Sequence, residues 1–388
     1  MNIKKIIADN SELITDMRRD LHRIPELGMQ EKKTSAYIEQ KLSQLKLEIQ
    51  CNIAGHGIVG LLKTGRPGPT ILIRADMDAL PINEETNLPF SSNHPGKMHA
   101  CGHDGHMAIG LGVATILSKI EHQLSGTIKF VFQPAEEGPG GAKPMIEAGV
   151  LENPKVDFIT GCHIWPNIPI GTVGVKKGPL MAASDLFDLL IKGVGSHGAT
   201  PHLGVDTLEV ATQIVGALQR IVSRQINPLI PAVVTIGSFH SGSTYNIIPS
   251  VAEIKGTVRT FDKTTWNELP KRIKKIVDGI CQAMGAEYEL NYRSKYPLVI
   301  NDSYAADIVI KASCQTVGEE NTIVPEMSMC AEDVSYFLEQ VKGCFFFLGA
   351  GNANNKPLHN SRFDFEETVL ATGVEVICRT AISVLARQ

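Results

Sequence analysis

The sequence predicts an α/β protein of two domains: a larger one with a mostly parallel sheet and helices on both faces, and a smaller ferredoxin-like α+β domain inserted into it. Three observations lead there. The chain has 388 residues, more than one hydrophobic core usually organises. Strand-like and helix-like segments alternate up to about residue 183, the rhythm of a parallel sheet with crossover helices. Between about 184 and 293 the order changes to β-α-β-β-α-β. Residues 1–183 and 294–388 are therefore assigned to the larger domain, and 184–293 to the insert.

The elements follow from pattern. In SELITDMRRDLHRI, Leu13, Met17 and Leu21 recur at helical spacing beside Ile14 and Ile24, and Pro25 stops the run. TSAYIEQKLSQLKL is a second amphipathic helix. GIVGLLK and TILIRADMDAL are apolar strands, the latter ending in two acids. DGHMAIGLGVATILSKI reads as a helix, GTIKFVFQP as a strand, GAKPMIEAGV as a short helix and VDFITGCHIWP as a strand. In the insert, DLFDLLIKGVG, AVVTIGSFH, SVAEIKGTVRTF and EYELNYR are strands, while DTLEVATQIVGALQRIVS and WNELPKRIKKIVDGICQAM are helices. The chain returns through DIVIKASCQTV, VSYFLEQV and GCFFFLGAG to a closing helix from about Asp364.

Composition removes several classes. Apolar residues make up 43% and charged residues 20%, as in ordinary soluble proteins. A net charge of −4 gives no basic footprint, so no nucleic-acid partner is expected. Apolar runs such as MAIGLGVATIL stop short of the roughly 20 residues that span a bilayer, so no membrane is expected. MNIKKIIADNSEL lacks the apolar core of a signal peptide, which makes the cytoplasm the expected location. The eight cysteines are scattered without repeated spacing and are not a disulfide framework.

The candidate chemistry lies at strand ends. Cys101 and His103 of MHACGHDGH sit in a loop before a helix, Glu136 and Glu137 follow GTIKFVFQP, His163 ends VDFITGC, and His359 follows GCFFFLGAG and its loop. Loops at the carboxyl ends of parallel strands converge on one crevice, so these residues can share a site. Cysteine, histidine and carboxylate together suit zinc, and also manganese, cobalt or nickel. Adjacent residues at a strand end point in different directions, so Glu137 can bind metal while Glu136 takes a proton from activated water. Taken singly, the Glu pair is as well read as a solvated acidic turn, and each histidine as a structural one; convergence changes that.

RADMDALPI, MHACGHDGH, FQPAEEGPGGAKPMIEAG, GCHIWP, GSHGATPH, YNIIP and PLHNS, in this order, resemble the metal-dependent amidohydrolases that include hippurate hydrolase, N-acyl-amino-acid amidohydrolases and plant auxin-conjugate hydrolases. The resemblance runs over nearly the whole chain. It implies that Cys101, His103, Glu137, His163 and His359 bind two divalent ions per subunit, and that Glu136 is the general base that later protonates the leaving amine. It implies that His197 of GSHGATPH stabilises the tetrahedral oxyanion, from its own subunit or a partner, and that Asn246 of YNIIP and Arg259 of GTVRTF hold the substrate carboxylate. The insert becomes a lid and dimerisation domain in this reading.

The resemblance also sets weaker expectations. Asp76 and Asp78 either orient a ligand or serve as caps or buried ion-pair partners, and Asp104 and His106 are similar. His99 and His106 are not expected to hold metal, His202 receives no role, and Cys330 stands where a glycine is expected. The implied reaction is hydrolysis of an N-acyl-L-amino acid such as N-benzoylglycine by a homo-oligomer, dimer or tetramer. Deacetylation of N-acetyl-diaminopimelate or another N-acetyl amino acid is the alternative.

Overall fold

A computed structural model describes residues 3–354 and 356–386. They form two compact units, one of residues up to Gly178 with Ile300–Glu326 and from Asp333 onward, the other of Pro179–Val299 with Met327–Glu332. The smaller unit is thus wider than 184–293 at both ends and includes a short later segment, which element order alone does not reveal.

The larger unit is built on an eight-stranded sheet, in the order Glu48–Ile53, Gly57–Lys63, Thr127–Gln133, Thr70–Asp76, Phe158–Pro169, Gly343–Gly351, Val173–Gly174, Thr322–Ile323. Its four central strands, from Thr127–Gln133 to Gly343–Gly351, run parallel. The Gly57 strand joins them antiparallel, as does the edge strand Glu48–Ile53 beyond it. The central strands are buried along nearly their whole length, as their largely apolar runs require, with Arg74 and Lys129 buried among them. The edge strand escaped sequence reading because it is short and only two of its six residues, Ile49 and Ile53, are aliphatic.

Helices Ser11–His22 and Thr368–Leu385 pack against helix His103–Lys119, which lies on the sheet. Helix Ser11–His22 buries Ile14, Met17 and Leu21 as its spacing predicts, but it also buries Arg18 and His22 and leaves Leu13 42% exposed. The closing helix begins at Thr368 rather than Asp364. By length and composition it is apolar enough to cross a bilayer, yet most of it is covered within the unit, with Leu370, Val374, Ile377, Cys378 and Ala381 in the core. Its apolarity is that of a core helix.

The smaller unit is a four-stranded antiparallel sheet, ordered Ala232–Ser241, Val251–Thr260, Ala183–Lys192, Glu287–Tyr296. Helices Thr207–Arg220 and Lys263–Met284 cover one face, giving the predicted β-α-β-β-α-β order. Asp206 and Asp262 cap these helices by accepting from Leu208 N–H and Thr265 N–H at 3.0 and 2.6 Å. Phe187, Leu189, Ile191, Ile214, Ile254 and Val277 fill the space beneath, each burial stabilising the unit by about 1.5–3 kcal/mol.

Candidate metal centre

A turn and the helix it opens, one strand, one strand end and one loop of the larger unit deliver the donors. Cys101 lies in a tight turn closed by Gly102, whose φ of +86° favours glycine, and His103 opens the helix rather than preceding it. His163 lies within strand Phe158–Pro169, which continues past it. Glu136 and Glu137 leave strand Thr127–Gln133 through Ala135, an alanine held at φ +56° at a cost of about 1 kcal/mol. His359 sits on a loop pinned by its own N–H donating to the Ala100 carbonyl at 2.8 Å.

The predicted donors fall into three overlapping groups, each with its ligand atoms within 4.8 Å of one another: Cys101, His103 and His163; Cys101, Glu137 and His359; and His103, Glu136 and Glu137; a further group joins His103 to Asp76 and His106. All six residues that sequence reasoning placed at this centre are therefore brought together. Cys101 Sγ lies 3.5 Å from His163 Nε2, and His359 Nε2 lies 3.0 Å from a Glu137 oxygen.

Backbone carbonyls settle the tautomers. His103 Nδ1 meets the Asp78 carbonyl at 2.9 Å and His163 Nδ1 meets the Ile164 carbonyl at 2.8 Å, so both Nδ1 atoms must carry the proton. Both Nε2 lone pairs then face the cluster, and buried His103 Nε2 makes no hydrogen bond. His106 is spent differently. Its Nδ1 donates to Asp76 at 2.6 Å and its Nε2 accepts from Ile164 N–H at 2.9 Å, so neither nitrogen is available to a metal. His99, expected not to ligate, is buried outside these groups.

The electrostatics fit a cation. Burial works against charge on His103, but Asp76, Asp78 and Glu137 outweigh it and push the imidazole up to about 10, so a cation bound there would displace a proton from Nε2 to reach its lone pair. Burial and the neighbouring His106 bring His163 down to about 3, leaving it a neutral donor. Burial, then Glu137 and Glu136, hold the Cys101 thiol well above its ordinary range. A thiol, imidazole nitrogens and several carboxylates crowded together form a donor set for divalent ions of the zinc and manganese type.

Asp76 and Asp78, left open by sequence, both support the centre. Asp78 accepts from Glu136 N–H on one carboxylate oxygen and from Glu137 N–H on the other, each at 2.9 Å, so it clasps the backbone of the glutamate pair. Asp76 bridges His106 and Arg74 Nη1, the latter at 2.8 Å. Arg74 also reaches Asp333 at 2.9 Å, and Asp333 accepts from Gln133 Nε2 and from the N–H groups of Gly141 and Ala142. An arginine inside the apolar run TILIRAD was a signal that sequence reading passed over. Asp104, next to His103, pairs with buried Arg18 and His22, each at 2.8 Å.

The remaining predicted residues belong to the smaller unit. His197 pairs with Ile247 across a two-stranded ladder, and Gly198 N–H donates to the Asn246 carbonyl at 2.8 Å, which places His197 and Asn246 side by side. His197 Nδ1 accepts from Ala199 N–H at 3.0 Å, so its proton is on Nε2. Arg259 stands on strand Val251–Thr260 between Val233 and Ser184, its neighbour Val258 pointing into the core. Burial draws its pKa down, against Cys330 and Asp185. His202 and Cys330 are exposed.

Scaffold and donor cluster together are those of a metal-dependent hydrolase. Residues 72–383 match peptidase family M20/M25/M40, and the chain belongs to this family. It is 40% identical over 373 residues to the N-acetylcysteine deacetylase of Bacillus subtilis (strain 168), covering 96% of this chain and 97% of that one. It is 40% identical over 364 residues to the N-acetyldiaminopimelate deacetylase of Geobacillus sp. (strain WCH70), covering 93% and 95%. Among solved structures, a Bacillus subtilis protein described as a dinuclear metal-binding peptidase of the M20 family superposes with a TM-score of 0.86 at 36% identity, over 98% of this chain and 99% of that one.

Proposed function

We propose that the protein hydrolyses the amide bond of N-acyl-L-amino acids, releasing a carboxylic acid and a free amino acid, with two divalent ions per subunit held by Cys101, His103, Glu137, His163 and His359. The observation that carries this reading is the adjacent pair Glu136 and Glu137, clasped by Asp78 beside the Cys and His donors. One carboxylate can serve as a ligand there while the other remains for proton transfer. Bound divalent ions supply Lewis acidity, which makes water easier to deprotonate and an acyl carbonyl easier to attack.

Glu136 accepts the proton of the attacking water and passes it to the departing nitrogen, so that the amine leaves neutral. His197, with its proton on Nε2, donates to the oxyanion of the tetrahedral intermediate. Asn246 and Arg259 hold the substrate carboxylate, for which the guanidinium fork is suited. The acyl group defines two versions. Benzoyl substrates such as N-benzoylglycine are the version suggested by the resemblance to hippurate hydrolase, while the names of the two deacetylases favour acetyl substrates, N-acetyl-diaminopimelate among them. A homo-oligomer, dimer or tetramer, and a cytoplasmic location complete the proposal.

The test is steady-state hydrolysis of benzoylglycine, N-acetylcysteine and N-acetyl-diaminopimelate by wild type and Glu136→Gln, each loaded with manganese or zinc. The expected result is turnover by wild type and a loss of about 100-fold to 10,000-fold in kcat in the variant at unchanged metal content. Failure on benzoyl substrates removes the hippurate version, and failure on every member removes the substrate class. Light scattering that finds monomer at all concentrations removes the oligomer.

A further inference from the structure

The backbone that carries Glu136 and Glu137 is held by a second carboxyl group from far away in the chain. Glu31, fully buried just before helix Lys32–Ser43, accepts from Ala135 N–H at 2.9 Å. With the two oxygens of Asp78, three successive N–H groups, of residues 135, 136 and 137, are each bound by a separate carboxylate oxygen. Three consecutive donors so held leave the loop no freedom to rotate a peptide plane, and Ala135 is the residue at φ +56° that such freedom would relax.

The segment around Glu31 is itself anchored to the same strand end. The Glu26 carbonyl accepts from Ala79 N–H at 2.8 Å, and Leu27 bridges to Ala79, next to Asp78. Glu26 also folds its carboxylate onto Lys33 N–H and Thr34 N–H at 2.8 and 3.0 Å, which fixes where the helix begins and hence where Glu31 stands. Gly28 lies so close to the loop that a Cβ there would meet the Gly138 carbonyl oxygen at 2.3 Å.

We propose that Glu31 is a positioning residue for the catalytic pair: through Ala135 N–H it sets the direction in which the Glu136 and Glu137 side chains leave the backbone. The inference rests on the proposed role of Glu136 as base. Burial, against its own backbone hydrogen bonds and with Asp78 nearby, pushes the Glu31 carboxyl up to about 7, so glutamine is a close mimic of it near neutral pH.

The experiment compares wild type, Glu31→Ala and Glu31→Gln as the full chain, loaded with cobalt or manganese. Kinetics use the best substrate of the panel above, and the visible absorption of the cobalt form is recorded independently. Glu31→Ala is expected to lose at least tenfold in kcat, with KM within about twofold and metal content unchanged, and to shift the cobalt bands. Glu31→Gln, which keeps an acceptor for Ala135 N–H, is expected to recover kcat to within about threefold of wild type with wild-type bands. A kcat in Glu31→Ala within twofold of wild type overturns the proposal, as does equal impairment of both variants. If Glu31→Ala does not fold, Glu31→Asp, which withdraws the oxygen by one methylene, replaces it with the same expectations. If wild type cleaves nothing in the panel, the substrate reading has failed and the bands alone decide: a shift confined to the Ala or Asp variant supports positioning, and superimposable spectra overturn it.

Discussion

His106 shows how a residue can matter to a metal centre without ligating. Its two nitrogens tie Asp76 to the N–H of Ile164, the residue after His163. Removing the ring strands a buried carboxylate oxygen and a buried N–H. Truncating one partner of such a buried charged contact costs about 3 kcal/mol or more, and losing support behind a ligand weakens metal binding about 10-fold to 100-fold. His106→Ala is therefore expected to show both effects, read by denaturant titration of the metal-free protein and by competition with a chromophoric chelator. A variant that loses stability but binds metal as tightly as wild type would show that His106 braces the core and not His163.

At the scale of elements, helix Ser11–His22 is joined to helix His103–Lys119 by charge as well as by its apolar stripe. Arg18, between the rings of Phe90 and Phe365, and His22 both meet Asp104, and His22 also faces Glu84 at 3.2 Å. Burial opposes charge on His22, yet Asp104 and then Glu84 prevail and push it up to about 9. A folded pKa above the unfolded value of about 6.5 means stability that is fully present below pH 6.5 and is lost as pH rises through 9. The loss is expected to be on the order of 3 kcal/mol. Urea titrations between pH 6 and 10 should show this slope in wild type and a flatter one in His22→Gln; parallel curves would place the proton elsewhere.

What sequence made legible at this scale were elements with a period and the convergence of candidate donors from separate strands and loops. Cys101, His103, Glu137, His163 and His359 share a crevice because parallel strands end on one side, a rule independent of side-chain detail. Glu31, Arg18 and Asp333 lay outside its reach. Their partners Ala135, Asp104 and Gly141 lie 104, 86 and 192 residues away, and nothing near Glu31 or Asp333 in sequence distinguishes a buried acceptor from a solvated acid. The edge strand Glu48–Ile53 was missed for a different reason: Ile49, Cys51 and Ile53 do alternate with Glu48, Gln50 and Asn52, but three half-buried positions in six residues are too short a pattern to stand out.

For the whole molecule, all five proposed ligands belong to the larger unit, and the smaller unit has a core of its own. Metal binding should then stabilise one unit selectively, by about 2.7 kcal/mol when free metal is at 100 times its dissociation constant. Calorimetry with excess manganese against excess chelator should move one transition upward and leave the other in place. Equal movement of both would mean that the two units unfold as one.

The smaller unit's first and last strands are neighbours, with Ser184 opposite Tyr296. Whichever part of the chain becomes ordered first, this pairing brings the two ends of a stretch of more than a hundred residues to within about 5 Å. The larger unit needs the strand Phe158–Pro169 to find Gly343–Gly351 across that stretch. If the insert orders early, the search is over a short tether instead of a long one, a saving in loop-closure entropy of about 1 kcal/mol. Destabilising the small sheet should then slow the assembly of the large one, even though the central pairing of the large sheet contains no residue of the small.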